Sequence, residues 1–214
     1  MQYFILAIAL SMLYQKVHQM TLTIGRIIMH KAKDIEFQGA EILSFLKKGM
    51  IEDALILFDK FKENHCIFDI SESSKWNWLH QILLSPSSDS YKTGLSVKYL
   101  INQGIPINAQ DVYGMTPLHY AMRSKNADAA IALLEAGDDP NIPNKDGLRP
   151  LSMVGYTKDR LDVLELMLKK GGNVHNIMGD GSNRTILESW LPTENEERWV
   201  FDIYNLMKKY AQNF

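Results

Sequence analysis

Residues 111–141 read DVYGMTPLHYAMRSKNADAAIALLEAGDDPN, and this stretch decides the fold. It holds a turn at Gly114, a Thr116-Pro117 start, a short apolar helix, a polar break and a second apolar helix that stops at Gly137 and Pro140. Thr is suited to capping a helix and Pro is tolerated in its first turn, so the start has a physical basis. Two helices of about 8–10 residues are marginal alone, because nucleation is costly and each leaves an apolar stripe uncovered. Such a pair needs a neighbour.

The neighbour is a copy of itself. Gly114 recurs as Gly147 and Pro117-Leu118 as Pro150-Leu151, both at a spacing of 33 residues. Gly137 has counterparts in Gly104, 33 residues earlier, and Gly171, 34 residues later. Self-similarity at this period marks a solenoid whose units each bury a face against the next. The second-helix ending ALLEAGDDPN returns as YLINQGIPINA at 99–109 and LMLKKGGNVHN at 166–176.

With its turn-to-helix signature GMTPLHYA and that recurring ending, the repeat resembles the ankyrin family. The match is specific over 95–176, where several fixed positions recur in order, and weaker outside. KWNWLHQILL (75–84) keeps Leu79-His80, but SPSSDSYKTG then lengthens the unit. AEILSFLKKGMIEDALILFDKF (40–61) reads as two helices around Gly49, and RTILESW (184–190) with ERWVFDIYNLMKKYA (197–211) as a last, degenerate unit. The resemblance implies an all-α ankyrin-repeat solenoid of about five helix pairs over 38–211, its outer units degenerate, behind an N-terminal extension at 1–37. Pairs are expected at 95–104, 117–136 and 150–170, with essentially no regular sheet.

Composition narrows the function. Apolar and charged fractions of 46% and 22% are ordinary for a globular chain. The net charge is −2, and residues 1–28 hold Lys16 and Arg26 without an acid, so the remainder is more acidic still. That speaks against a nucleic-acid binder, which needs a basic face. The single cysteine, Cys66, excludes an internal disulfide framework.

The apolar run YFILAIALSMLY (3–14) is too short to span a bilayer. It has the length of a signal-peptide core, but no basic residue precedes it and no clean cleavage site follows. A helix packed on the first repeat and a non-native extension upstream of Met20 or Met29 are the other readings. The expected location is the cytoplasm. The alternative is a periplasmic or membrane-associated protein held through residues 1–19.

No arrangement points to catalysis. His119 has Asp111 and Thr116 near it in sequence, but His80, Ser152 and Glu188 stand at the same place in other units, and a residue exchanged so freely is scaffold. In the ankyrin family the equivalent His links neighbouring turns. The six histidines are scattered, and His65-Cys66 is an isolated pair without the further ligands a metal needs. Asp138-Asp139 with Asn141 lacks the Gly and closing Glu of a calcium loop and reads as a solvated loop. No G-x-S-x-G elbow occurs, and KKGGN (169–173) is a helix end rather than a phosphate loop. The expectation is a non-enzyme without metal, cofactor or small-molecule substrate.

What remains is a surface. In the ankyrin family the concave side, made by the turns before each first helix and that helix's exposed face, is the usual protein-binding side. Carried over residue by residue, it comprises Trp76 and Leu84; Val112, Tyr113, Met115, Arg123 and Ser124; Lys145, Asp146, Leu148, Tyr156 and Thr157; and Ser182, Asn183 and Arg184. Tyr, Trp, Met and Arg dominate interface energetics. The other reading of Trp76 and Met115 is that they pack within the stack. Tyr113, Met115, Leu148 and Tyr156 are expected to align on successive copies.

The layout resembles short bacterial ankyrin proteins encoded beside polymorphic toxins. That resemblance implies an immunity protein, monomeric when free, that blocks a toxin domain by occlusion. An exported ankyrin effector or scaffold, a generic interaction adaptor and an ankyrin-supported enzyme are the alternatives.

Overall fold

A computed structural model describes residues 19–26, 29, 38–86 and 89–213. From residue 38 onward the described chain is five consecutive helix pairs. They are α1 (38–47) with α2 (Ile51–Lys60); α3 (Trp78–Ile82) with α4 (Ser90–Asn102); α5 (Pro117–Arg123) with α6 (Ala127–Glu135); a 3-10 helix (Pro150–Thr157) with α7 (Leu161–Lys169); and α8 (Ile186–Ser189) with α9 (Arg198–Tyr210). Among the described residues the sole β feature is an isolated bridge between Ile177 and Thr185. The all-α solenoid expected from the 33-residue period is therefore present. The apolar run 3–14 lies outside the described residues, and none of the described helices is long and apolar enough to cross a membrane.

Local chemistry sets the boundaries. Asp89 caps α4 through the Lys92 N–H at 3.0 Å, and Asn126 caps α6 through the Ala129 N–H at 3.0 Å. Thr185 and Glu188 form a reciprocal capping box at α8. At the other end of the second helices, Gly104, Gly137 and Gly171 take φ of +88°, +98° and +91°, the left-handed conformation that glycine adopts without steric cost. Each is followed by the same bond, from Ile105, Asp138 and Gly172 N–H to the Leu100, Leu133 and Met167 carbonyls.

One continuous core runs through the pairs, from Ile42 and Leu46 through Leu79, Leu100, Leu118, Leu133 and Leu151 to Ile203 and Met207. Two elements differ from the sequence expectation. α3 is only Trp78–Ile82, because Lys75 turns left-handed at φ +59° and Trp76 stands ahead of the helix; the serine-rich insertion ends early, its last residues forming the first turn of α4. The first helix of the fourth unit is a 3-10 helix. Gly155 and the β-branched Val154 and Thr157 weaken an α-helix there. Trp190 also lies so close that a Cβ on Gly155 would meet its ring at 2.8 Å.

Candidate protein-binding surface

The turn before each first helix is built around one side chain. The Asp111 carboxylate accepts the Tyr113 and Met115 N–H at 2.8 and 2.9 Å. One unit later Asn144 does the same for Asp146 and Leu148, at 2.9 and 2.8 Å. Gly114 and Gly147 close these turns at φ +78° and +81°. Neighbouring turns are then tied backbone to backbone: Val112 N–H to the Ser74 carbonyl at 3.1 Å, and Lys145 N–H to the Tyr113 carbonyl at 3.0 Å. The tips form a fixed row, which a binding surface requires because ordering costs are then already met.

The two histidines complete the tie. His119 Nδ1 accepts the Thr116 N–H at 3.0 Å, so its proton sits on Nε2, which donates to the Leu148 carbonyl at 3.0 Å. His80 repeats this, accepting from the Asn77 N–H and donating to the Met115 carbonyl. Burial pushes both imidazoles toward the neutral form, His119 to about 4, against the weaker pull of the Leu148 carbonyl and Asp111. A neutral, doubly bonded His is a rivet between units. The link expected from the resemblance is present.

Asp111 is engaged too. Burial raises its carboxyl pKa, but bonds from the Tyr120 hydroxyl (2.6 Å), the Met115 N–H, the Trp76 indole N–H (3.1 Å) and the Tyr113 N–H outweigh that and hold it below its ordinary value. Burial and the same carboxylate raise the Tyr120 hydroxyl to about 12. Sequence reading missed this Trp76–Asp111–Tyr120 cluster, whose members lie up to 44 residues apart. The recurrence of polar residues at the turn start was the available signal.

The structure sorts the surface residues. Tyr113 is 62% exposed at its tip, and Tyr156, Arg123, Lys145 and Arg184 are exposed. Asp146, Ser182 and Asn183 are also exposed, as is Leu84. Arg123 lies over the Tyr120 ring at 4.5 Å, and Arg184 pairs with Asp180 at 3.5 Å. Trp76, Val112 and Leu148 are half-buried.

Three expectations need correction. Met115 is 7% exposed and packs in the core, so it offers a partner nothing. Ser124 and Thr157 are buried, with hydroxyls bonded to the Ala121 and Val154 carbonyls at their own helix ends. Tyr113 and Tyr156 do not align: the 33-residue register pairs Tyr113 with Asp146 and Arg123 with Tyr156. Tyr113 precedes its first helix and Tyr156 closes the next, so they mark opposite edges of the same face. Beside Tyr156, Trp190 borders a shallow depression of about 240 Å³ with Ser152, Met153 and Gly155.

A family model described as ankyrin repeats (3 copies) matches residues 47–144 and 90–178. The chain is 36% identical over 104 residues to the neurogenic locus Notch protein of Drosophila melanogaster, covering 48% of this chain and 4% of that protein. It is 31% identical over 94 residues to oxysterol-binding protein-related protein 1 of Homo sapiens, 43% of this chain and 10% of that protein. Against the regulatory protein SWI6 of Saccharomyces cerevisiae it is 44% identical over 136 residues, 59% of this chain and 16% of that protein. The chain thus spans at most 16% of the length of these three relatives.

Proposed function

The chain belongs to the ankyrin-repeat family, and from that premise we propose that it is a non-catalytic immunity protein whose concave side occludes a bacterial toxin domain. The coarser part, a protein-interaction module, follows from the repeats themselves. One observation carries the finer part: Tyr113, a large amphipathic side chain 62% exposed on a tip that backbone bonds hold rigid. A residue that does no packing work of its own, presented on a fixed support, fits the profile of an interface anchor. Tyr156 with Arg123 supplies a second anchor at the far edge of the same face. The layout shared with short toxin-associated ankyrin proteins supports the choice of partner.

Truncating an anchor of this kind costs about 2–4 kcal/mol of binding, while its neighbours cost little. Tyr113→Ala combined with Tyr156→Ala is therefore expected to weaken toxin binding well over tenfold. Both side chains are exposed, so the thermal midpoint should stay put. The readout is survival of cells expressing the toxin encoded next to this gene, with either form of the chain. Full protection by a normally folded double variant would move the interface to the outer helices or the 85–94 insertion. No protection by the wild-type chain would remove the immunity role and leave the interaction module.

We place this activity in the cytoplasm, because the basic residues and cleavage site of an export signal are missing around 3–14. Fractionation of expressing cells should recover the full-length chain in the soluble cytoplasmic fraction. Recovery from the periplasm, trimmed near residue 20, would favour the exported alternative.

A further inference from the structure

The largest groove of the described structure lies at the N-terminal end of the stack, with a volume of about 570 Å³. Its walls come from the start of α1 (Gly39, Ala40, Leu43), from the loop at 64–72 and from Trp78 of α3. Ile70, in that loop, is 57% exposed. The polar groups in the wall are occupied: Asn64 bonds Gln38 at 3.2 Å, and His65 stands 3.8 Å from the Asp69 carboxylate. What the groove leaves unsatisfied is apolar surface.

We propose that the chain's own apolar run, residues 3–14, is the occupant of this groove. The chain enters the stack at the groove: Gly39 and Ala40 are part of its wall, so the residues before 38 emerge at its rim. The 23 residues between the run and residue 38 are long enough to double back. A tether of that kind gives an effective concentration near the millimolar range, so modest contacts suffice. The chemistry also matches, because the run carries no charge and Ser11 is its only small polar residue.

Solenoid ends need a cover whose outer face is polar. At the C-terminal end α9 provides it, with Val200, Ile203 and Met207 inward and Lys208 and Lys209 outward. At the N-terminal end Met50, Ile56 and Ile70 remain exposed, and the described helical residues 19–26 are themselves exposed throughout. Seating 3–14 there would close that end and withdraw the first unit from the partner-binding face. The inference does not depend on the immunity reading.

The test is intramolecular photo-cross-linking in the full-length chain. p-Benzoylphenylalanine is placed at position 70, an exposed site that tolerates substitution, and at position 91 on the outer face as control. Irradiation should give adducts from position 70 to residues 3–14 of the same molecule and none from position 91. Leu6→Asp with Leu10→Asp should reduce the adduct at least tenfold while leaving the thermal midpoint of the stack in place. Adducts to another molecule would make a second copy the occupant. Adducts that vanish with phosphatidylcholine–phosphatidylglycerol vesicles, the protein sedimenting with them, would make it a membrane. The absence of adducts to 3–14 in dilute solution would leave the groove open. Each of these results overturns the proposal.

Discussion

Replacing Asp138 by Ala is expected to stabilise the chain by about 2–4 kcal/mol at pH 7, an unusual sign for a core substitution. Asp138 follows Gly137 at the end of α6, where its N–H bonds the Leu133 carbonyl at 3.0 Å. That position normally carries an apolar side chain packed on the last helical turn. Ile105 fills it one unit earlier, 3% exposed, and Asp138 is 2% exposed with neither carboxylate oxygen bonded to a protein donor. Burial, and then the charge of Asp139, push its carboxyl to about 8; the nearby Asp139 N–H opposes this only weakly.

The sign follows from proton counting. An unfolded Asp loses its proton near pH 3.9, whereas the folded chain keeps this one until about pH 8. Between those values the native state binds more protons, so stability falls as pH rises across the window. His119 acts in the opposite sense. It stays neutral down to about pH 4 in the fold, while an unfolded His takes up a proton near 6.5. Its contribution, and that of His80, is lost as pH falls below 6.5. Wild-type stability should therefore peak near neutrality and decline on both sides, whereas Asp138→Ala should lose only the acid-side decline. Urea midpoints of both proteins from pH 4 to 9 read this directly, and the gap between them should widen up to about pH 8. A gap that does not change with pH, or a less stable variant, would mean that Asp138 has a stabilising partner.

Leu133→Ala should act in the ordinary direction and strongly, costing about 2–5 kcal/mol. Leu133 is 0% exposed on α6, which packs against α4, α5 and α7 in the middle of the stack. The loss combines transfer of the removed methyl groups with the cavity left behind, and flanking helices in a close-packed stack cannot collapse fully into it. Because each unit touches only its neighbours, damage here uncouples both halves. Thermal unfolding should move down by about 2–4 °C for each kcal/mol lost in a chain of this size and broaden toward two steps. An unchanged transition would show that this helix face is not core.

Much of this architecture is written in the 33-residue period, because glycines at helix ends and Thr-Pro at helix starts are local requirements visible in any single unit. What escaped reading is what the period does not control. Asp138 looks like a loop residue beside Asp139, and only the bond geometry after Gly137 turns it inward. The same inward turn after Gly114 buries Met115. The 3-10 helix at 150–157 depends on Trp190, from the next unit, lying against Gly155. The misplaced alignment of Tyr113 with Tyr156 was avoidable, since counting 33 residues from Tyr113 reaches Asp146. The N-terminal groove arises where α1 meets the 64–72 loop, a region without a close copy elsewhere in the chain.

The central claim is that this surface works by occupancy and performs no chemistry. The direct test is a titration of the adjacent-gene toxin's activity with purified full-length chain, read at toxin concentrations far above the dissociation constant. Occlusion predicts a straight decline that reaches zero at one equivalent and does not deepen on longer incubation. Continued loss of activity at a small fraction of an equivalent would mean turnover, and would contradict the account.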